Sequence, residues 1–167
     1  MEIANSKLTQ ATLCVILNES KKEILLGMKK KDLFGGGKYN GPGGKVKDDE
    51  TIERAALREL TEESGLTAKL SDLIKIGEFT FIFPESQAKF NQIVHVYFVT
   101  RWQGVINDSD EMIWKWFSLS NIPYDQMWDD DKYWLPKALE DKRLKGAFYF
   151  NEKRKVERKE LSEVKYF

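Results

Sequence analysis

Hydrophobic residues fall in short blocks separated by polar turns, and the spacing inside each block predicts its element. Ala11 to Leu17 is an unbroken apolar run with polar flanks, which predicts a buried strand. Glu23 to Met28 follows a charged turn at Asn18 to Lys22, so the two runs predict a hairpin. Phe34 to Lys45 carries six glycines and a proline, a composition that predicts an irregular loop. Long loops in compact domains are often functional. Phe79, Phe81 and Phe83 alternate with Thr80 and Ile82, a period of two that predicts a strand with an aromatic face. Ile93 to Thr100 and Met112 to Phe117 predict further strands, and Phe148 to Phe150 a last short one. Tyr133 to Lys142 predicts a helix with Pro136 in its first turn, where proline is tolerated. The mostly charged stretch from Glu152 to Lys165 predicts a solvated helix or a frayed end.

Composition narrows the class. The 167 residues suit a single domain spanning 1–167, with the charged tail at about 152–167. Twenty-seven basic and 27 acidic residues cancel, which argues against a nucleic-acid polymer as partner. No apolar run approaches the roughly 20 residues of a membrane span, and Met1 to Lys7 lacks a secretory pattern. The single cysteine, Cys14, forms no internal disulfide and points to a reducing compartment. The expectation is a soluble, cytoplasmic monomer.

One predicted helix conflicts with its own pattern. Thr51 can cap it and Gly65 can end it in the left-handed conformation. With Ile52 at zero and about 100° per residue, Ala55, Ala56 and Leu60 mark the buried stripe; Glu59 and Glu63 fall inside it, within about 20° of Ile52. Two carboxylates about 5 Å apart repel by roughly 3 kcal/mol at an effective dielectric of about 20. A divalent cation between them would reverse that sign, and an all-oxygen donor set suits Mg²⁺ or Mn²⁺. The alternative is an ordinary surface face, with Glu59, Glu62 and Glu63 paired to Arg54 and Arg58.

The spacing extends beyond the helix. Gly44, five residues, Glu50, seven residues and then Arg58-Glu-Leu-Thr-Glu-Glu-Ser-Gly-Leu66 resembles the Nudix box at all nine defining positions. The resemblance implies an α+β fold, a mixed β-sheet sandwiched between α-helices (α/β/α), and hydrolysis of a nucleoside diphosphate linked to another moiety. It implies metal held by Glu59, Glu62 and Glu63 with the Gly43 carbonyl, and catalytic roles for Glu63 as base, for Glu59, and for Arg58, which orients the glutamates. Glu50 would support the loop.

Outside the box the chain resembles the subfamily typified by the animal 8-oxo-dGTP diphosphatase. Gly27-Met-Lys-Lys30, Tyr39-Asn-Gly41, Ser109-Asp-Glu-Met112 and Met127-Trp-Asp-Asp-Asp-Lys-Tyr-Trp134 carry that likeness. It implies that Asn40, Asp130 and Asp131 read the base edge while Trp128 stacks on it. Phe34, Phe81, Phe83, Met112, Trp134 and Phe150 would line the walls. Thr12 and Lys30 would face the sugar and phosphates, with Gly44 and Lys45 nearby, and Glu111 would be a further metal ligand. The implied substrates are oxidised purine nucleoside triphosphates, cleaved to monophosphate and pyrophosphate. A buried aspartate pair keeps a proton because both cannot ionise cheaply, so it can present more than one hydrogen-bonding pattern. Rival substrates are methylated purine triphosphates, dinucleoside polyphosphates and ADP-ribose; a catalytically silent nucleotide-binding module is the rival from another class. His95 reads as a satisfied core histidine and Cys14 as a small hydrophobe. The chain departs from the subfamily at Pro42, at Asp129, along Pro84 to Gln92, and in its charged tail.

Overall fold

The computed structural model describes residues 8–167, so the reading of Met1 to Lys7 lies outside the described residues. Strand β1 (Thr9–Asn18) lies inside a mixed sheet because both of its faces are apolar. Val15 and Leu17 point into one core cluster, and Cys14 and Ile16 into another. It pairs antiparallel with β2 (Glu23–Lys29), Ile16 opposite Leu25, which is the expected hairpin.

The glycine loop is more regular than its composition predicts. Tyr39–Asn40 forms a short strand β3 on β2, and Gly43–Lys45 a strand β4 on β1. Glycine is required there because the chains run almost in contact: a Cβ on Gly43 would lie 2.0 Å from the Thr12 carbonyl oxygen. Helix α1 (Ile52–Ser64) has the predicted bounds. Thr51 Oγ1 accepts from the Arg54 amide, a cap worth about 1 kcal/mol, and Gly65 closes the helix at φ 82°.

Strand β5 (Leu73–Ile82) starts well before its aromatic stretch and pairs antiparallel with β6 (Gln92–Val99). β6 runs parallel to β1, Thr9 opposite Gln92 and Ile16 opposite Val99. Between β5 and β6, Glu85–Phe90 forms 3₁₀ turns. β7 (Met112–Ser118) pairs with β2. Helix α2 (Asp131–Leu139) begins two residues before the predicted start, so Pro136 lies beyond its first turn.

The last third differs most from expectation. β8 (Arg143–Phe150) is a full strand parallel to β5 rather than a three-residue remnant. The charged stretch is neither helix nor frayed end: Val156–Val164 forms β9, antiparallel to β8. Its residues are mostly exposed on both faces, so no period of two marks it, and its partner's backbone sets its conformation. Charge along a sheet edge also discourages pairing with other chains.

α1 covers one face of the sheet through Ala56 and Leu60, beside Ile16, Leu25 and Val99. α2 covers the other through Trp134, Leu135 and Ala138, against Phe79, Leu144 and Phe148. This is the expected α+β sandwich. Among the described residues no helix is long and apolar enough to cross a membrane.

Candidate active site

A cavity of about 360 Å³ opens where the glycine loop, the β5–β6 connection and the start of α2 meet. Thr12, Phe34, Asn40, Gly43, Gly44, Lys45, Glu63, Phe81, Phe83, Met112, Trp128, Asp130, Asp131 and Phe150 all line it. These residues span more than a hundred positions of sequence, and the fold brings them together.

One end of the cavity reaches α1 at Glu63; Glu59 does not line it and lies beside Gly44. Gly44 passes so close to the helix that a Cβ there would sit 2.5 Å from Glu59 Oε1. The Gly43 amide donates to Glu63 Oε1 at 3.2 Å. Burial, opposed by that hydrogen bond and reinforced by the neighbouring Glu59 charge, pushes the Glu63 carboxyl up to about 8. Arg58 joins loop to helix: its Nε and Nη2 donate to both oxygens of Glu50, Nη1 donates to Glu59 Oε1 at 2.8 Å, and Nη2 also reaches the Lys45 carbonyl. Hydrogen bonding to Arg58 holds Glu50 down at about 2.

Two crowded carboxylates, one of them half-buried and reluctant to ionise, are the donor chemistry a divalent cation relieves, so these residues fit such an ion. Among the described residues, however, no three acidic, histidine or cysteine side chains are already gathered as a cage. Glu62 is exposed and paired to Arg58 Nη1 at 3.2 Å, and Glu111 is exposed beside the cavity-lining Met112. Neither lines the cavity.

The other end is aromatic, with a buried acidic pair. Asp130 and Asp131 are only 4 % and 3 % exposed. Trp134 Nε1 donates to Asp130 Oδ2 at 2.8 Å. Asp131 Oδ2 is buried and has no hydrogen-bond partner among the described residues. Burial raises the Asp130 carboxyl to about 6, and burial together with the Asp130 charge raises Asp131 well above the usual range. Asn40 accepts from the Gly41 amide through Oδ1, which leaves its Nδ2 donors for the cavity.

Two expected lining residues stand elsewhere. Trp134 is 1 % exposed and packs on Phe79 behind the pocket; its position on α2 turns it inward, and it acts on the pocket through Asp130. Lys30 is exposed just past β2, and its neighbour Lys29 lines the cavity instead, because side chains alternate along a strand. Pro42 is buried against β1, its carbonyl accepting from the Cys14 amide, while Gly41 and Gly43 face the cavity. His95 is satisfied by Gln10 at 2.6 Å and Lys75 at 3.0 Å and is held below its ordinary pKa by burial and by Lys75. Burial, with the Glu63 charge, pushes the Cys14 thiol up to about 12, so it stays protonated.

The family model described as NUDIX domain matches residues 7–138. The chain belongs to the Nudix family. It is 43% identical to the oxidized purine nucleoside triphosphate hydrolase of Danio rerio, over 93% of this chain and 97% of that one. It is 40% identical to the Mus musculus protein of the same name, over 93% and 96%. A solved structure of a mutator MutT protein from Bacillus halodurans superposes with a TM-score of 0.79 at 25% identity, covering 93% of this chain and 98% of that one. A bifunctional NMN adenylyltransferase/ADP ribose pyrophosphatase from Francisella tularensis, complexed with AMP and a manganese ion, gives 0.62 at 28% identity over 80% and 42%.

The sequence of this Nudix chain did not point to Phe90, which lines the cavity and stacks on Phe34 with ring centroids 3.8 Å apart. Its only signal was a lone aromatic in the polar segment from Pro84 to Gln92. Lys89 and Gln92 are further lining residues without a sequence signature, and Lys29 lies in the Gly27-Met-Lys-Lys30 stretch from which Lys30 was expected.

Proposed function

We propose that the protein is a single-domain, Mg²⁺-dependent hydrolase of oxidised purine nucleoside triphosphates, releasing the monophosphate and pyrophosphate and so clearing damaged nucleotides from the pool. The observation that carries this reading is the unpartnered Asp131 Oδ2 facing the same cavity as Glu63. A buried polar atom without a partner costs about 1–3 kcal/mol, and a purine edge supplies the missing hydrogen bond. Names of the Danio rerio and Mus musculus relatives support the same substrate class. The reading is of a monomer, and the single free cysteine, Cys14, suits the cytoplasm.

Glu59, Glu63 and the Gly43 carbonyl would hold the metal, with Glu62 and Glu111 turning in to complete the set. When bound, the cation neutralises phosphate charge and acidifies a water. Arg58 keeps Glu59 aimed at the loop, and Glu63 takes the proton from the attacking water. Lys29 and Lys45 supply positive charge for the phosphates. Asn40, Asp130 and Asp131 read the base between the rings of Trp128, Phe81 and Phe83. Because the aspartate pair retains a proton near neutrality, it can donate as well as accept, which suits both oxidised guanine and oxidised adenine.

Pyrophosphate release with Mg²⁺ tests this on 8-oxo-dGTP, 2-hydroxy-dATP, O6-methyl-dGTP, dGTP, dATP and ADP-ribose. The expected result is preferred turnover of the oxidised purines, reduced by about 10²–10⁴-fold in Glu63→Gln. Turnover of ADP-ribose alone would overturn the roles given to Asn40, Asp130 and Asp131. Absence of any metal-dependent turnover would leave a binding module.

A further inference from the structure

Three of the places where this chain departs from its subfamily meet in space. The turn between β8 and β9, residues 151–155, lies against both the Pro84 to Gln92 segment and Asp129. Ser86 Oγ and Gln87 Nε2 donate to the Glu152 carboxylate, and Asp129 Oδ2 accepts from the Val156 amide at 2.8 Å. Asn151 shapes the turn: its side-chain oxygen accepts from the Lys153 and Lys155 amides, and its carbonyl accepts from the Arg154 amide. Arg154 is thereby held at a left-handed φ of 60°, a conformation a branched-free side chain tolerates but does not prefer.

That turn delivers one guanidinium to the pocket wall. The Arg154 Cζ stands 4.6 Å from the Phe34 ring centre and 5.8 Å from those of Phe90 and Trp128. Its Nε donates to Gln87 Oε1 at 3.0 Å, fixing the plane of the group. Among the described residues it has no carboxylate partner, since the adjacent Glu152 is bound to Ser86 and Gln87. A half-buried, unneutralised guanidinium against three rings is a cation–π contact with three acceptors. All three rings line the cavity.

We propose that Arg154 is a positioning residue of the base pocket, bracing the Phe34, Phe90 and Trp128 rings in the arrangement that grips a flat purine. It acts through those rings and leaves the hydrolytic end untouched. The guanidinium adds to the Phe34–Phe90 stack a contact over the Phe34 ring that helps fix its face. The inference rests on the reading of this cavity as a purine site.

The test separates base binding from hydrolysis. Binding of the product 8-oxo-dGMP is measured by calorimetry with chelator present, for the intact chain and for Arg154→Met, Arg154→Lys and Gln87→Ala. Arg154→Met keeps the bulk without the charge and should weaken binding about tenfold, whereas Arg154→Lys, which restores the charge but not the flat group or its Nε–H, should recover only part of the loss. Gln87→Ala, which removes the acceptor of the Nε–H together with the Nε2 donor to Glu152, should weaken binding by about threefold. In turnover the same variants should raise KM for 8-oxo-dGTP and keep kcat within about twofold. Unchanged product binding in Arg154→Met overturns the proposal, as does a fall in kcat at constant KM. If Arg154→Met does not fold, unchanged binding in Gln87→Ala overturns it. If the intact chain fails to bind 8-oxo-dGMP, the purine reading fails first and this inference with it.

Discussion

The buried pair Asp130 and Asp131 sets the chemistry at the scale of single residues. Both carboxyls ionise at higher pH in the folded chain than in the unfolded one, because burial penalises the charge, with the Asp129 charge adding to it at Asp130 and the Asp130 charge at Asp131. For a raised acid the folded state binds the proton more tightly. The stability it contributes is therefore complete below about 4, the ordinary aspartate value, and is lost as pH rises through about 6 for Asp130 and higher for Asp131. Asp131→Asn removes that loss, so the variant should be more stable than the parent at pH 8 and close to it at pH 4. Thermal unfolding at the two pH values checks this, and an equal shift at both would show that ionisation is not the cause. Gly44 makes the opposite case, where function rather than stability is at stake. A Cβ there meets the Glu59 carboxylate end, a side chain that can swing away. Gly44→Ala should leave the melting temperature within about 2 °C and lower kcat by about tenfold or more, by displacing the Glu59 oxygen proposed to hold the metal. Unchanged kcat would remove Glu59 from the site.

At the scale of elements, α1 and β9 stand at opposite ends of legibility. The signals for α1 are local: a capping threonine, a terminating glycine, and an apolar stripe interrupted by two glutamates. β9 has no local signal. Its sequence, Val-Glu-Arg-Lys-Glu-Leu-Ser-Glu-Val, is charged on both faces, and it is a strand because β8 offers it a complete edge. Asp129 fastens its start, accepting from the Val156 amide and pairing with Lys132 at 2.9 Å. Asp129→Ala should therefore cost about 1–2 kcal/mol, read from urea unfolding, while kcat on a saturating substrate stays unchanged. A variant as stable as the parent would mean that pairing with β8 alone anchors the strand.

At the scale of the whole molecule, the mixed sheet acts as a platform with a helix on each face and one cavity at its end. The end of that cavity proposed for hydrolysis comes mainly from a loop and helix contiguous in sequence; the end proposed to read the base draws on the same loop through Phe34 and Asn40, and on β5, the β5–β6 connection, the start of α2 and the end of β8. The sequence by itself determined the first half. Helix caps, the nine box positions and the carboxylates on an apolar stripe are relations between residues within one or two helical turns or at fixed gaps, and local backbone geometry converts them directly into structure. It also named most of the aromatic and acidic residues of the second half, through their order along the chain. Only the tertiary structure decided which of these face the cavity: Lys29 rather than Lys30 on β2, Trp134 behind the wall rather than in it, Phe90 and Arg154 brought in by segments some 65 residues apart. Those assignments depend on strand register and on contacts between distant segments, which no local pattern encodes.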